Sequence, residues 1–333
     1  MKGNYKNLFI NGYGWTGSSA IIDYLSDFKN ISIVTGEFED LKVPYGIFDQ
    51  VNIRKSILLG GEGKSFSNLS NNDKSSTPPS KRYRGLIPAI NMLFRAFHIP
   101  IPFTKMWGKS FSYRIFHFKN FFYYLRESFI TFSTYRTIKK SDSLEELNKI
   151  PNLWIKKISN IYGGRNQITC FDQAFIFDNL NENIHYLKEI KLAIVIRNPE
   201  KQFADILNYD INFFRNYPWR VKFLIGVDNE DLNRAIKIMI NSTKRRLKEI
   251  IKLKKRMKNN LIFIDFDQFL INPEKQKKIL ENFVGEKFVP NKKKFFQIEK
   301  SRQRNTKLKI NKGLLEAKDL VMLKKLYVKL LNL

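Results

Sequence analysis

The chain has 333 residues, of which 43% are hydrophobic and 14% aromatic, including 29 Phe; that supplies a real core and argues against wholesale disorder. Its formal net charge of +28 favours polyanionic partners: nucleic acid, an anionic membrane face, or a polyphosphate or polysaccharide. A single cysteine, Cys170, excludes an internal disulfide and a multi-cysteine zinc site, and the three histidines (His98, His117, His185) lack metal-ligand spacing, so no metal is expected.

In chain order, residues 7–10 read as a short buried strand, 11–17 as a tight loop, and 18–28 as a helix whose apolar face is Ala20, Ile21, Ile22, Tyr24 and Leu25. A second strand over 31–34 completes a βαβ unit, which implies a parallel sheet. Residues 60–84 are poor in apolar side chains and rich in Ser, Asn, Gly and Pro, the composition of a polar flexible loop. From 85 to 163 the chain reads as a helical, aromatic and basic insertion, whose aromatics either form core or present an amphipathic patch.

The sheet resumes with strands at 168–171 and 191–196. A helix follows from Pro199, where a missing N–H costs nothing. A long basic helix over 229–258, a buried strand at 261–266, a helix at 273–283, a basic loop and a C-terminal helix near 314–331 complete the reading. The sum is an α/β fold: one doubly wound, mostly parallel sheet with a P-loop and a helical insertion, a single domain over 1–333. No signal-peptide run opens the chain and no stretch of about 18 uninterrupted apolar residues occurs. The expected location is cytoplasmic, with contact at the inner face of a membrane compatible with the charge.

The segment Gly12-Tyr13-Gly14-Trp15-Thr16-Gly17-Ser18-Ser19 has the G-x-x-x-x-G-x-S spacing of a phosphate-binding loop. Glycines let backbone N–H groups converge on an anion, and the helix that follows adds partial positive charge. Ser18 and Ser19 can donate hydroxyls as well. A nucleoside triphosphatase places Lys where this chain has Ser18, which argues against ATP or GTP hydrolysis. The later run Gly60-Gly61-Glu62-Gly63-Lys64-Ser65 lacks the earlier glycine, since Leu58 stands there, and has no strand before it.

Three segments together resemble the sulfotransferase superfamily, which binds 3′-phosphoadenosine 5′-phosphosulfate (PAPS) on a kinase-like fold. The first, GYGWTGSSAIIDYL, is similar to the loop cradling the 5′-phosphosulfate. The second, LAIVIRNPEKQFADIL (192–207), is similar to the strand ending in Arg-Asp-Pro whose arginine contacts the 3′-phosphate, here Arg197. The third, LIFIDFDQFLINPEKQKKILENFVG (261–285), resembles the late strand and "NPE" helix of bacterial members. The resemblance implies a PAPS-binding set of Gly14, Trp15, Thr16, Gly17, Ser18, Ser19, Arg197 and Asp205. It extends that set with Arg302, Asn305 and Lys307 from the basic run 301–313 closing over the nucleotide. Replacing Gly17 with Val is expected to abolish binding and leave the fold largely intact.

Two positions depart from the pattern. Trp15 stands where the family has a basic residue, so another cation enters (Arg302, Arg304 and Lys307 are candidates), or backbone donors suffice, or transfer is not what the chain does. Asp205, eight residues after Arg197, stands where many members have Ser. A carboxylate beside a phosphate is repulsive unless a cation intervenes, so the alternative is that Asp205 points away and orients Arg197 or a lysine.

The resemblance implies in-line sulfuryl transfer without a metal, from PAPS to a hydroxyl acceptor. Candidates for the base are Glu37 and Glu39, just after the second strand, with Asp172 as the second choice, while His185 reads as structural. The aromatic content and charge fit a glycan acceptor, as in bacterial polysaccharide biosynthesis. The alternatives are a catalytically degenerate nucleotide-binding protein and a basic nucleic-acid binder. No helix-turn-helix, zinc-finger or RNP-like motif supports the latter, so no specific nucleic-acid partner is expected.

Overall fold

The computed structural model describes residues 6–13, 16–34, 46–61, 118–163, 168–175, 184–186, 190–206, 232–292, 296–308 and 317–333, with backbone alone at 118–121, 124 and 232–235. The elements in chain order are β1 (Lys6–Gly12), α1 (Ser18–Leu25), β2 (Ile31–Ile33), α2 (Ile47–Leu58), α3 (Phe118–Lys140), α4 (Leu144–Tyr162) and β3 (Ile168–Asp172). After a 3-10 turn at Ile184–Tyr186 come β4 (Lys191–Ile196), α5 (Pro199–Asp205), α6 (Leu232–Met257), a second 3-10 turn, and β5 (Leu261–Asp265). The helices α7 (Phe266–Ile271), α8 (Pro273–Val284), α9 (Ile298–Thr306) and α10 (Ala317–Leu331) end the chain.

The chain divides into two compact units. One holds the sheet with α1 and α5 to α10; the other holds α2, α3, α4 and the first 3-10 turn. The fold is α/β. The sheet has five strands in the order β2-β3-β1-β4-β5, and every neighbouring pair is parallel. Continuous apolar runs produce this arrangement, because strands covered on both faces need no polar alternation. Leu8, Phe9 and Ile10 are fully buried, as are Leu192 through Ile196. On one face Phe9 stacks on Phe171 with ring centroids 4.7 Å apart. On the other, Leu8 and Ile10 join a cluster with Ile21, Leu25, Ile264, Phe266, Phe269 and Leu280 from α1, β5, α7 and α8.

The two Asn-Pro-Glu triplets are one device used twice. Asn198 accepts from the Glu200 N–H at 2.9 Å, with Pro199 at the first position of α5. Asn272 accepts from the Lys275 N–H at 3.0 Å, with Pro273 opening α8 and left-handed Gly285 closing it. Asn caps an orphan N–H, and Pro gives up only an N–H the first turn cannot use.

The basic run 301–313, expected as a loop, is helical in its first part. The helix α9 spans Ile298–Thr306 and contains Arg302 and Asn305. It has almost no apolar periodicity to announce it; it is held by Glu299 pairing with Arg302 and by Asn305, buried on the sheet unit.

In the helical unit, α4 starts at Ser143, which accepts from the Glu146 N–H at 3.4 Å. Trp154 is buried and donates from Nε1 to Thr131 Oγ1 at 3.2 Å, and the Tyr162 hydroxyl donates to Glu127 Oε2 at 2.8 Å. Helices occupy 118–140 and 144–162; the stretch 85–117 of the expected insertion, and all but the start of the polar loop 60–84, lie outside the described residues. Gly60 and Gly61 follow a helix, not a strand.

The last turn of β1 is tied across the sheet by Asn11, which is fully buried. Its Nδ2 donates to the Phe175 carbonyl at 2.7 Å and its Oδ1 accepts from the Phe175 N–H at 3.3 Å. Asn11→Ala leaves both backbone groups buried without that partner and is expected to cost about 1–3 kcal/mol in urea unfolding. A change within the scatter of a surface substitution would show that this tie carries no stability.

Candidate functional site

The site lies at the carboxyl ends of the parallel strands, where loops from neighbouring strands converge. It begins with the turn from β1 into α1. Gly17 caps α1 with φ at +89°, and a Cβ there would lie 2.5 Å from the Phe266 ring. Glycine is thus required twice, by backbone conformation and by packing. This corrects the expectation for Gly17→Val: the substitution strikes the core as well as the loop. A Cβ at Gly12 would lie 2.3 Å from Thr16 Oγ1 and 2.9 Å from Ser18 Oγ, so that glycine lets two hydroxyls fold over the strand end. Ser18 is buried, whereas Ser19 faces solvent. Gly14 and Trp15 lie outside the described residues, as do Glu37 and Glu39.

Two features of this turn suit an anion. Among the described residues no side chain caps α1; the Ala20 N–H is taken by the Gly17 carbonyl at 3.1 Å, so the donors suited to another acceptor are the N–H groups of Ser18 and Ser19. Thr16 Oγ1 is buried and has no hydrogen-bond partner among the described residues.

Gln173 and Arg246 are the contributors that sequence reasoning missed. Gln173 follows β3 with φ at +53°, a conformation that costs a non-glycine residue energy and marks sites where geometry matters. Its Nε2 donates to Ser18 Oγ, and its Oε1 accepts from the Gly12 N–H at 3.3 Å. Ser18 Oγ therefore accepts from Gln173, which turns its own O–H away from that nitrogen. Arg246, on α6, donates from Nη1 to the Tyr13 carbonyl at 3.1 Å. A guanidinium thus reaches the phosphate-type loop from a helix more than two hundred positions away. Neither residue belongs to a motif. A left-handed Gln and one arginine in a run of cations leave no signal in the linear order.

Behind the loop, Arg197 follows β4 and is buried, 3% exposed. Its Nη1 donates to Asp205 Oδ2 at 2.7 Å, its Nη2 to Asn305 Oδ1 at 2.8 Å, and its guanidinium lies 5.2 Å from the Phe266 ring centroid. The other Asp205 oxygen accepts from Arg304 Nη2 at 2.6 Å. Asp205 is therefore the counter-ion of two arginines. Asn305 in turn donates from Nδ2 to Asp267 Oδ1 at 2.9 Å, and Lys201 lies 3.3 Å from that oxygen. Asp267 Oδ2 accepts from the Asn198 N–H at 3.0 Å.

The neighbouring Asp265 caps α7 through Oδ1 and accepts from the Tyr327 hydroxyl through Oδ2 at 2.7 Å. Burial pushes the Asp265 carboxyl above its ordinary range, against the pull of the Tyr327 hydroxyl and the Gln268 N–H. Burial likewise pushes the Tyr13 phenol up, opposed by the Arg197 backbone N–H and reinforced by Asp265 and Asp267.

The structure thus brings Arg197, Asp205 and Asn305 together and adds Arg304. It does not bring in Arg302, whose Nε donates to the Leu270 carbonyl at 2.8 Å and whose Nη1 is paired with Glu299. Lys307 is exposed beyond the end of α9. Asp172 is the last residue of β3, buried beside Cys170, whose thiol is pushed up by burial and by that carboxylate. His185 lies in the helical unit with its ring against Tyr186. Among the described residues no group of three or more His, Cys, Asp or Glu is placed to hold a metal ion.

No family model matches the chain, and no curated protein matches it. Solved structures do. The sulfotransferase domain from the Synechococcus PCC 7002 olefin synthase is 9% identical with a TM-score of 0.47, over 98% of this chain and 95% of that one. The sulfotransferase domain from the curacin biosynthetic pathway is 8% identical with a TM-score of 0.49, over 98% of each chain.

Arg197 and Arg304 load Asp205 unequally, because the Arg304 side chain is 52% exposed and the Arg197 side chain 4%. Asp205→Ala leaves a buried guanidinium without its counter-ion and is expected to cost about 3–5 kcal/mol in urea unfolding. Arg304→Ala is expected to cost less than about 1 kcal/mol. Equal losses would mean that Asp205 serves the outer arginine and not the inner one.

Proposed function

We propose that this protein transfers a sulfuryl group from PAPS to a hydroxyl of a carbohydrate acceptor. The observation that carries the reading is the pairing of two anion-suited features on adjacent strands. One is the glycine turn between β1 and α1, where the described residues place no side-chain cap on the helix N-terminus and where the Thr16 hydroxyl is buried. The other is the pair Arg197 and Arg304 at the end of β4, the parallel neighbour of β1, where two guanidinium charges share one carboxylate, Asp205. A donor with a phosphosulfate at one end and a 3′-phosphate at the other uses both, whereas ATP has no group for the second. Ser18 in place of a P-loop lysine also favours PAPS over ATP.

In this reading Thr16, Gly17, Ser18 and Ser19, with Gly14 and Trp15, hold the 5′-phosphosulfate through backbone N–H groups and hydroxyls. Arg197, oriented by Asp205 and Asn305, serves the 3′-phosphate together with Arg304, and Lys307 adds charge to the same side, while Arg302 stays with the Leu270 carbonyl and Glu299. Arg246 supplies the cation that Trp15 leaves out. PAPS, when bound, supplies a sulfuryl group whose developing charge fixed donors stabilise without a metal. Asp172, at the end of β3 on the other flank of β1, and Glu37 and Glu39 after β2 are the carboxylates for accepting the acceptor's proton. Aromatic side chains that stack on sugar faces and the net charge of +28 support a glycan, as in cell-surface polysaccharide assembly at the inner face of a bacterial membrane.

Calorimetric titration with 3′-phosphoadenosine 5′-phosphate, against ATP as the comparison, tests the donor. The expected result is micromolar binding of the first and little of the second; equal binding would remove the 3′-phosphate site. Arg246 is tested in the transfer assay. Arg246→Ala is expected to lower kcat about 10²–10³-fold with the unfolding midpoint held, and Arg246→Lys to recover part of the loss. Unchanged turnover in Arg246→Ala would take that arginine out of the chemistry. Donor binding without transfer to any glycan would turn the reading to a catalytically degenerate binding protein.

A further inference from the structure

We infer that the outer face of α3, with the adjoining edge of α4, docks this protein on an anionic bilayer surface. Three phenylalanines on α3 are solvent-facing: Phe122 is 51% exposed, Phe129 67% and Phe132 41%. At about 100° per residue they fall on one side of the helix, and the exposed cations Arg126, Arg136 and Lys140 fall among them. The opposite side of α3 is committed to the interior, where Thr131, Thr134, Tyr135 and Ile138 are buried.

On α3 the exposed charge of this face has one sign. The sole acid of α3 is Glu127, which is 1% exposed and accepts from the Tyr162 hydroxyl at 2.8 Å inside the unit. Along the edge of α4, Leu153 is 54% exposed and Lys156 and Lys157 face solvent. Between the two helices runs a groove lined by Arg126, Phe129, Ile130, Lys157, Asn160 and Ile161. Scattered exposed apolar side chains are normal on a soluble protein. Rings and cations interleaved on one helix, with no exposed carboxylate between them, form a different pattern.

That pattern fits a bilayer surface better than a nucleic acid. Cations near an anionic headgroup layer gain from its negative potential, while apolar side chains at the same level enter the acyl boundary. Nucleic acid would use the rings and cations but has no use for the aliphatic contribution of Leu153, Ile130 and Ile161. Among the described residues no helix is long and apolar enough to cross a membrane, so the contact is peripheral.

The test is co-sedimentation of the full chain with vesicles of phosphatidylcholine alone and of phosphatidylcholine mixed with phosphatidylglycerol. Because the net charge alone attracts anionic lipid, the comparison is among variants. Phe129→Ser/Phe132→Ser is expected to weaken binding to the mixed vesicles about tenfold, and Arg126→Glu/Lys157→Glu to weaken it at least as much. Lys248→Glu/Lys255→Glu, which reverses exposed cations on α6, is expected to change it less than about twofold. Circular dichroism and the unfolding midpoint of all three should match the parent. Equal losses in the α6 control would overturn the inference, because net charge would then explain the binding. Failure to bind mixed vesicles would overturn it too, as would loss of single-stranded RNA binding in the Phe variant with vesicle binding unchanged.

Discussion

The buried guanidinium of Arg197 is the constraint around which the sheet unit is built. Removing such a charge from water costs several kcal/mol, and every nearby element contributes to offsetting that cost. The strand β4 delivers the arginine, α5 returns Asp205 to it at 2.7 Å, α9 brings Asn305 at 2.8 Å, and α7 lays the Phe266 ring against it. Asn305 passes the constraint to Asp267, which holds the Asn198 N–H at the start of α5. The loop of contacts closes on itself. The helix that supplies the counter-ion has its own first turn held by the network that its counter-ion completes.

Phe266 couples this network to the glycine turn. The ring that flanks Arg197 also fills the space a side chain at Gly17 would need. Packing on one side of β1 and electrostatics at the end of β4 therefore share one residue. A change at Gly17 cannot be read as a change in ligand binding alone, and the same holds for Arg197, whose truncation would leave Asp205, among the described residues, with the exposed Arg304. Binding energetics at this site are better read from a residue at its edge such as Arg304, whose partner Asp205 keeps its bond to Arg197 when Arg304 is removed.

The sequence is legible where local physics decides the structure. Runs such as Leu192–Ile196 can only be strands buried on both faces, and Asn-Pro-Glu spells out a capped helix start in 198–200 and again in 272–274. Legibility ends where the partner is distant. The βαβ reading of residues 7–34 implies parallel strands, and they are parallel, but β3 sits between β1 and β2 because a strand more than a hundred residues later inserts there. The helix α9 carries no apolar stripe, since its place is set by polar contacts of Arg302 and Asn305. That Asp205 orients Arg197, eight residues before it, is legible as an alternative in the sequence; its second arginine, Arg304, is too distant in the linear order to be seen. Gln173 and Arg246 reach the glycine turn through tertiary contacts with no motif around them.

The charge of the chain as a whole is likewise governed by where its partners lie. A surplus of +28 invites one explanation, but the structure spends its cations in different ways. Arg197 is neutralised inside the sheet unit by a carboxylate it shares with Arg304. Lys244 is paired with Asp319, and Lys6 with Glu286. On α3 the single acid is withdrawn into the interior, so Arg126, Arg136 and Lys140 are left to set the potential of their face. A cation with a buried counter-ion shapes the fold, and one on a surface cleared of acids shapes what approaches it. The distribution of the acids, more than the number of lysines, therefore separates the two uses: in the sheet unit acids are drawn toward arginines, and on the outer face of α3 they are absent among the described residues.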